Sequence, residues 1–287
     1  MSHVSKRKRA FLVVWLGLAA VLLIASFLTM PSGPEEESVQ EMMRDAVLHE
    51  SNQIGLFGLC AVNPGLVSGF VVTAILLVAA ALIRIFAIPK FKYVPGKLQL
   101  LLEQAVGMFD GLAKSNSPWR NGFLGSYVFA AGAYIFFGTL FELFGFQAIT
   151  TAGRSITLPA PLSDVNGAIM LGVLSYGVIF SGAIAGNGMR GIGKALKEVS
   201  LLISMSFRLF GALLSGLLVT ELVYYYVNLS FVLPVIVGVL FTLLHALIQS
   251  YVLTMLVALF YGEMSEPTPK KPSKQRKPAE AATTKKA

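Results

Sequence analysis

The sequence has 287 residues, of which 55% are hydrophobic and only 13% are charged, and its mean hydropathy is +0.71. Soluble domains carry about 25% charged residues, so this balance excludes an ordinary water-soluble protein and indicates a polytopic membrane protein. The net charge of +8 would suit a nucleic-acid partner, but the basic residues are divided between the two sides of the apolar runs. That division predicts membrane orientation and no nucleic-acid partner.

Six apolar runs are long enough to cross a bilayer core, which takes about 20 mostly apolar residues. We therefore predict an all-α polytopic membrane protein with six transmembrane helices, the last two forming a long pair. The six runs lie at 11–29, 66–89, 121–147, 165–185, 198–227 and 231–261.

The first run follows the basic stretch SKRKR and raises the alternative of a signal peptide. Its apolar stretch is longer than that of a usual signal peptide, and no A-x-A cleavage site follows it. We interpret residues 1–29 as a basic N-terminus with a retained membrane anchor. The acidic segment 30–65 is then a solvated region on the outer side.

The basic residues predict the orientation of the spans. If both termini are cytoplasmic, the outer segments hold only Arg44 and Arg154, and Arg84 and Arg208 lie within spans. The other 19 of the 23 basic residues then face the cytoplasm, as the positive-inside rule expects. The C-terminal segment 263–287 is predicted to be a basic, disordered cytoplasmic tail.

Between the spans, residues 97–113 read KLQLLLEQAVGMFDGLA, with apolar residues at helical spacing. This pattern predicts an amphipathic helix at the cytoplasmic surface. Residues 186–191 read GNGMRG, a formal G-x-G-x-x-G. They follow a membrane helix instead of a strand, so they do not predict a dinucleotide site.

Metal and catalytic motifs are also missing from the sequence. Cys60 is the only cysteine, and the three histidines are scattered. The sequence therefore predicts no metal site, no cofactor and no catalytic residues.

The stretch SFRLFGALLSGLLVTEL, residues 206–222, places Arg208 deep inside an apolar run. An arginine at that depth costs roughly 2.5–3.5 kcal/mol on insertion scales. A protein keeps such a charge for a partner or an ion path. Small residues follow at helical spacing and predict close approach by another helix, and ordinary packing within the same subunit is an equal alternative. These small residues are Gly211, Ala212, Ser215 and Gly216.

Other polar residues share the last two spans. Glu221 lies thirteen residues after Arg208, which is a rotation of about 220° around a helix, so it points away from the arginine. Thr242, His245 and Gln249 share one helix face. They form a candidate hydrated path, although a single histidine on such a helix is more often a packing residue.

Four stretches resemble subunit a of the membrane sector of rotary F-type ATP synthases. The stretch ISMSFRLFGALLSGLLV is similar to that family's hallmark pattern S-L-x-x-R-L-F-G-N. The other three occur in the family's order: VPGKLQLLLEQAV, PAPLSDVNGAIMLGV and HALIQSYVLTMLVALFYGEMSE. The resemblance implies that residues 66–262 form the subunit a membrane domain, with the last two helices facing the rotating c-ring.

Residue roles follow from this resemblance position by position. Arg208 matches the arginine that the family places opposite the c-ring carboxylates, and Gln249 matches a polar residue near it. Asp164 and Asn166 match an acidic loop on the outer side.

The sequence also departs from the family pattern. Ala212 replaces the usual Asn, and Leu217 replaces a residue that is often Glu. Glu221 follows one turn later and is expected to serve ion translocation with Gln249 and His245.

The resemblance implies a non-catalytic stator subunit in the cell membrane, which forms ion half-channels, expected to carry protons, against the c-ring. Its expected partners are the c-ring, the peripheral stalk subunit b, the other ATP synthase subunits and the lipid bilayer. A secondary transporter or channel that binds an anionic solute with Arg208 is the alternative. Transporters often have internal repeats, and none is detectable here. A structural scaffold would leave Arg208 unexplained.

Overall fold

The computed structural model describes Val14, Gly17 and Val21 and residues 53–56, 60–119, 121–151, 153, 155–225 and 233–267. Within these residues, five helical segments are long and apolar enough to cross a membrane. They coincide with five of the predicted runs, which confirms a mostly helical, polytopic membrane protein. The run 11–29 lies outside the described residues except for three helical positions, so the sixth span stays a prediction. The five segments are Pro64–Lys90, Leu124–Phe144, Val165–Asn187, Ser200–Thr220 and Val235–Ser265.

Seven α-helices and two short hairpins make up the described fold. In chain order the helices are α1 Pro64–Leu82, α2 Lys97–Asn116, α3 Leu124–Leu140, α4 Val165–Asn187, α5 Met189–Lys197, α6 Ser200–Tyr225 and α7 Leu233–Ser265. A π-helical turn, Ile83–Ala87, and a 3-10 turn, Ile88–Lys90, extend α1, and a 3-10 turn, Phe141–Phe144, extends α3. The antiparallel hairpins pair β1 Ile54–Leu56 with β2 Cys60–Val62, and β3 Gln147–Ile149 with β4 Ser155–Thr157.

Capping side chains explain where α1 and α4 begin. Asn63 accepts a hydrogen bond of 2.8 Å from the Gly65 N–H, and Asp164 accepts one of 3.3 Å from the Asn166 N–H. The predicted loop therefore ends at Asp164, and Asn166 lies in the helix instead of the loop. Asp164 is the N-cap of α4 and Asn166 lies in its first turn, because an aspartate before an apolar run satisfies the free N–H groups of a helix start.

The packed core lies where α7 meets α3, α4 and α6. Aliphatic side chains from these helices are buried there, for example Val128 of α3, Leu209 of α6 and Val257 of α7. A second, smaller core joins the first hairpin to α1 and α3. Its buried members are Ile54, Val72, Phe141 and Leu158.

The predicted amphipathic helix 97–113 is confirmed as helix α2. Its C-terminal half is packed: Ala113 is fully buried, and Phe109 lies edge-on to Phe129 with ring centroids 5.8 Å apart. Its N-terminal half carries exposed leucines, including Leu98 and Leu101.

The last helix extends further than the sequence predicted. The sequence predicts a tail from residue 263, but α7 continues to Ser265 because polar side chains satisfy its last carbonyls, which would otherwise lack partners. Asn187 donates to the Met264 carbonyl at 3.0 Å, and Lys194 donates to the Glu263 carbonyl at 2.7 Å. The rest of the predicted tail, 268–287, lies outside the described residues.

Candidate functional site

Helix α6 has one packed face and one open face. The packed face lies against the core and consists of Met205, Ser206, Leu209 and Leu213, all buried. The open face is exposed and consists of Ser204, Phe207, Arg208, Gly211 and Ser215. Arg208 therefore faces away from the rest of the described chain, although it lies in a span of 21 residues.

Arg208 has no partner inside the described part of the chain. Its guanidinium makes no hydrogen bond or ion pair with any described residue. A guanidinium at membrane depth needs a counter-charge or water. The open face thus presents an uncompensated charge to whatever lies beside it.

Two close contacts fix how α4 and α7 lie beside each other. A Cβ at Gly182 would overlap the ring of Tyr261, and a Cβ at Gly186 would overlap the main chain of Ser265. Both pairs are 79 residues apart, the same separation as the hydrogen-bonded pair Asn187 and Glu266 at the ends of these helices. The two helices therefore run parallel with a constant offset.

Two further contacts align α6 with α7. A Cβ at Gly172 of α4 would overlap Oγ of Ser206, and the offset places Tyr251 of α7 level with Gly172. Nearer the other end of α6, a Cβ at Gly216 would lie 3.4 Å from Nδ1 of His245. From the first level to the second, the residue number rises on α6, from 206 to 216, and falls on α7, from 251 to 245. The two helices therefore run antiparallel.

These contacts place Arg208 level with residues 249–253 of α7. Arg208 lies two residues after Ser206, which is level with position 251, so this contact gives position 249. It lies eight residues before Gly216, which is level with position 245, so that contact gives position 253. Gln249 is thus at about the same level as Arg208 along the two helices, and its role near the arginine stays a prediction.

Gln249 is a buried amide with an unsatisfied acceptor. Its side chain is only 7% exposed, and its Oε1 has no hydrogen-bond partner among the described residues. A buried amide oxygen without a partner is costly. Neighbouring polar groups on α7 are satisfied: Ser250 donates to the Gly132 carbonyl at 2.9 Å. Water or a donor from another chain would remove the cost at Gln249.

The predicted stripe of small residues is divided between two faces. Gly211 and Ser215 are exposed beside Arg208, and a Cβ at Gly211 would meet nothing within 4 Å. Gly216 instead packs against His245. A residue eight positions on is rotated by about 80°, which is enough to turn Gly216 into the contact with α7. Ala212 lies between the two faces and is half-buried.

His245 is held at the contact between α6 and α7. Its Nδ1 lies 2.8 Å from the Phe241 carbonyl. Because a carbonyl only accepts hydrogen bonds, Nδ1 carries the proton and Nε2 remains as an acceptor in the neutral ring. Thr242, one turn earlier on the same helix, is buried.

Glu221 and Ser204 are two further polar residues of α6. Glu221 lies on α6, but its side chain is outside the described part, so its role stays a prediction. Ser204 was not among the predicted site residues, although it lies on the open face. Helical spacing could have found it, since it precedes Arg208 by four positions.

The described residues contain no group of three or more His, Cys, Asp or Glu side chains that could hold a metal ion.

Comparison with known proteins identifies related sequences. The family model described as "ATP synthase A chain" matches residues 67–262. The chain is 25% identical to "ATP synthase subunit a" of Haemophilus ducreyi over 198 residues, covering 58% of this chain and 76% of the relative. It is 26% identical to "ATP synthase subunit a" of Histophilus somni (strain 2336), covering 58% and 73%. The protein of the same name from Beijerinckia indica subsp. indica is 22% identical, covering 67% and 84%.

Proposed function

The chain belongs to the ATP synthase A chain family, and we propose that within the ATP synthase complex it is the stator subunit that guides ions to and from the c-ring. The open face of α6 carries this proposal. It presents Arg208 beside Gly211 and Ser215, so a neighbouring helix can approach the guanidinium without meeting a bulky side chain.

The guanidinium stabilises an ionised carboxylate on the ring as it passes. Two opposite unit charges 4 Å apart attract by about 4 kcal/mol at an effective dielectric constant of 20. A carboxylate that passes Arg208 must therefore first release its ion into one half-channel. It takes up another ion only after it has moved on to the second half-channel.

The fixed charge also keeps the two half-channels apart. One elementary charge that crosses the membrane releases about 2.3 kcal/mol per 100 mV. A continuous water path would lose that energy without turning the ring. Arginine suits this position because its side chain stays protonated, whereas a buried lysine loses its proton readily.

The polar residues of α7 supply one wall of the ion path. Gln249 lies at the depth of Arg208 and has a buried acceptor that water would satisfy. His245 keeps a free acceptor nitrogen at the contact with α6. Glu221 extends the path toward the outer side, where it takes the place of the polar group that Leu217 lacks.

We also propose a cell-membrane location with both termini in the cytoplasm, from the distribution of basic residues. Asp164, at the start of α4, then lies on the outer side. The partners are the c-ring, subunit b of the peripheral stalk and the remaining ATP synthase subunits. A protease that removes residues 268–287 should act only from the cytoplasmic side, and cleavage from outside would contradict this orientation.

Disulfide crosslinking in the assembled complex tests the open face. Cys60 is the only cysteine, so a Cys60→Ser background allows single cysteines to be placed. Gly211→Cys should crosslink to a cysteine on the outer surface of the c-subunit helix. Gly177→Cys is the matched control, because Gly177 is also exposed and a Cβ there would meet nothing within 4 Å. It should not crosslink.

Two results would reject the proposed interface. One is the absence of any crosslink from Gly211→Cys in complexes that contain the c-ring. The other is equal crosslinking from Gly177→Cys. Purification of the chain without a c-ring, but with a bound anionic solute, would favour the transporter alternative.

A further inference from the structure

The corner between α1 and α2, residues 83–101, has exposed side chains on all sides of the helix end. Ile85, Phe86 and Ile88 follow one another within little more than one turn, and all are exposed. At the tip of the corner, Tyr93 is fully exposed and Val94 is 81% exposed. A protein neighbour covers one side of a helix, whereas lipid surrounds it, so this distribution favours lipid contact.

Pro89 explains the unusual backbone of this corner. A proline ring inside an α-helix meets the carbonyl four residues earlier, here that of Ile85. The chain widens into the π-helical turn Ile83–Ala87, in which the Ile88 N–H bonds to the Ile83 carbonyl. Such turns recur at functional sites. This one carries Arg84, which is exposed.

Hydrogen bonds hold the corner in one shape. The Gln99 side chain accepts from the Lys92 N–H and donates to the Lys92 carbonyl, both at 3.0 Å. Glu103 accepts a further hydrogen bond of 2.8 Å from the same amide. The main chain of Lys92 is thus fixed to the first turn of α2, while its side chain is exposed.

The corner concentrates positive charge. Four basic residues lie within fourteen positions, and no acidic residue occurs between Glu50 and Glu103. Clusters of four or more basic residues directly beside a membrane span attract anionic lipids. The four are Arg84, Lys90, Lys92 and Lys97, all exposed.

We propose that this corner binds the headgroup of an anionic phospholipid. The phosphate lies among the four basic side chains, where guanidinium and ammonium groups donate charge-assisted hydrogen bonds. The acyl chains run along the exposed apolar side chains of Ile85 and Phe86 on the π-helical turn and of Leu98 and Leu101 on α2. The site is separate from the open face of α6 and does not depend on the proposed function.

Photolabelling of the full chain in phosphatidylcholine nanodiscs tests this site. A small fraction of the lipid is photoactivatable phosphatidylglycerol or, in parallel, photoactivatable phosphatidylcholine, and the labelled peptides are mapped by mass spectrometry. The anionic probe should label residues 83–101 about tenfold more than the zwitterionic probe. Equal labelling by the two probes would overturn the proposal.

The double variant Lys92→Gln with Lys97→Gln should lose this preference. Both changes leave the Gln99 hydrogen bonds in place, because these use the main chain of Lys92. The matched control, Lys114→Gln with Lys197→Gln, removes the same charge outside the corner and should label like the wild type. Preference retained in the first variant, or lost equally in the control, would contradict the site.

Two further arms separate other occupants. Excess inorganic phosphate should leave the labelling unchanged, and its loss would assign the site to free phosphate instead of lipid. The same labelling should persist in the assembled complex. Protection of the corner there would assign it to a protein neighbour and reject the lipid site.

Discussion

Each face of α6 carries a serine, but the two faces meet different surroundings. On the packed face, Ser206 donates to the Leu202 carbonyl at 2.9 Å and lies against Gly172 of α4. On the open face, Gly211 and Ser215 are exposed beside Arg208. Ser206 has a packing role within this chain, whereas Gly211 and Ser215 have none within the described chain. The difference identifies the small residues that are available for contact with the proposed partner.

The largest expected effect comes from the charge on the open face. Arg208→Lys keeps a positive group but replaces a planar, permanently protonated fork with an ammonium that loses its proton readily when buried. We expect ATP-driven ion pumping to be abolished while the complex still assembles. Pumping in inverted vesicles, together with the subunit composition of the purified complex, measures both.

Arg208→Ala supplies the comparison for that experiment. It removes the barrier charge and should also allow passive ion leakage down a gradient. Assembled Arg208→Lys complexes that pump near the normal rate would reject the proposed mechanism, even though the family membership would stand.

The next largest effects are expected from three glycine-to-leucine variants, which distinguish the open face of α6 from its packed face. Gly211→Leu adds bulk to the open face, so pumping should fall to less than about a tenth because the partner helix is pushed away. Gly172→Leu adds bulk where even a Cβ would overlap Ser206, and overpacking costs about 1–3 kcal/mol or more. Its main effect should be a lower melting temperature. Gly177→Leu, the exposed control, should change neither property.

The three glycine variants together test whether the two faces of α6 differ in their contacts. Thermal melting of the reconstituted chain and pumping by the complex are measured for each variant. If Gly211→Leu lowered the melting temperature as much as Gly172→Leu, the open face would be a packed face of this chain.

The sequence predicted the five spans and the position of Arg208 inside one of them, because a long apolar run and a charge within it are both local signals. It did not predict that Gly216 leaves the arginine side, since the direction of a small residue depends on where α7 lies. It also did not predict that Gln249 lies level with Arg208, because that position follows only from contacts among α4, α6 and α7. The family motif does not reveal that Asp164 caps α4, although an aspartate before an apolar run is a known capping signal.

Gln249 allows a smaller effect to be measured. Gln249→Leu removes a buried amide whose Oε1 has no described partner, so the melting temperature should stay the same or rise. If that amide contacts water in the ion path, pumping should fall several-fold. Ser250→Ala is the adjacent control: it removes a satisfied hydrogen bond to Gly132, which should lower stability slightly and leave pumping unchanged. Unchanged pumping by Gln249→Leu would exclude Gln249 from the path.

The smallest expected effect concerns the contact between Gly216 and His245. A methyl group in Gly216→Ala would lie 3.4 Å from Nδ1 and 3.6 Å from Cε1 of His245, which requires at most a small shift of the ring. Alanine also favours a helix interior over glycine by about 0.5–1 kcal/mol, so these two effects offset each other. We expect melting within about a degree and pumping within about twofold of the wild type. Pumping that fell further while the melting temperature held would show that the ion path passes between Gly216 and His245, on the packed side of α6 as well as the open side.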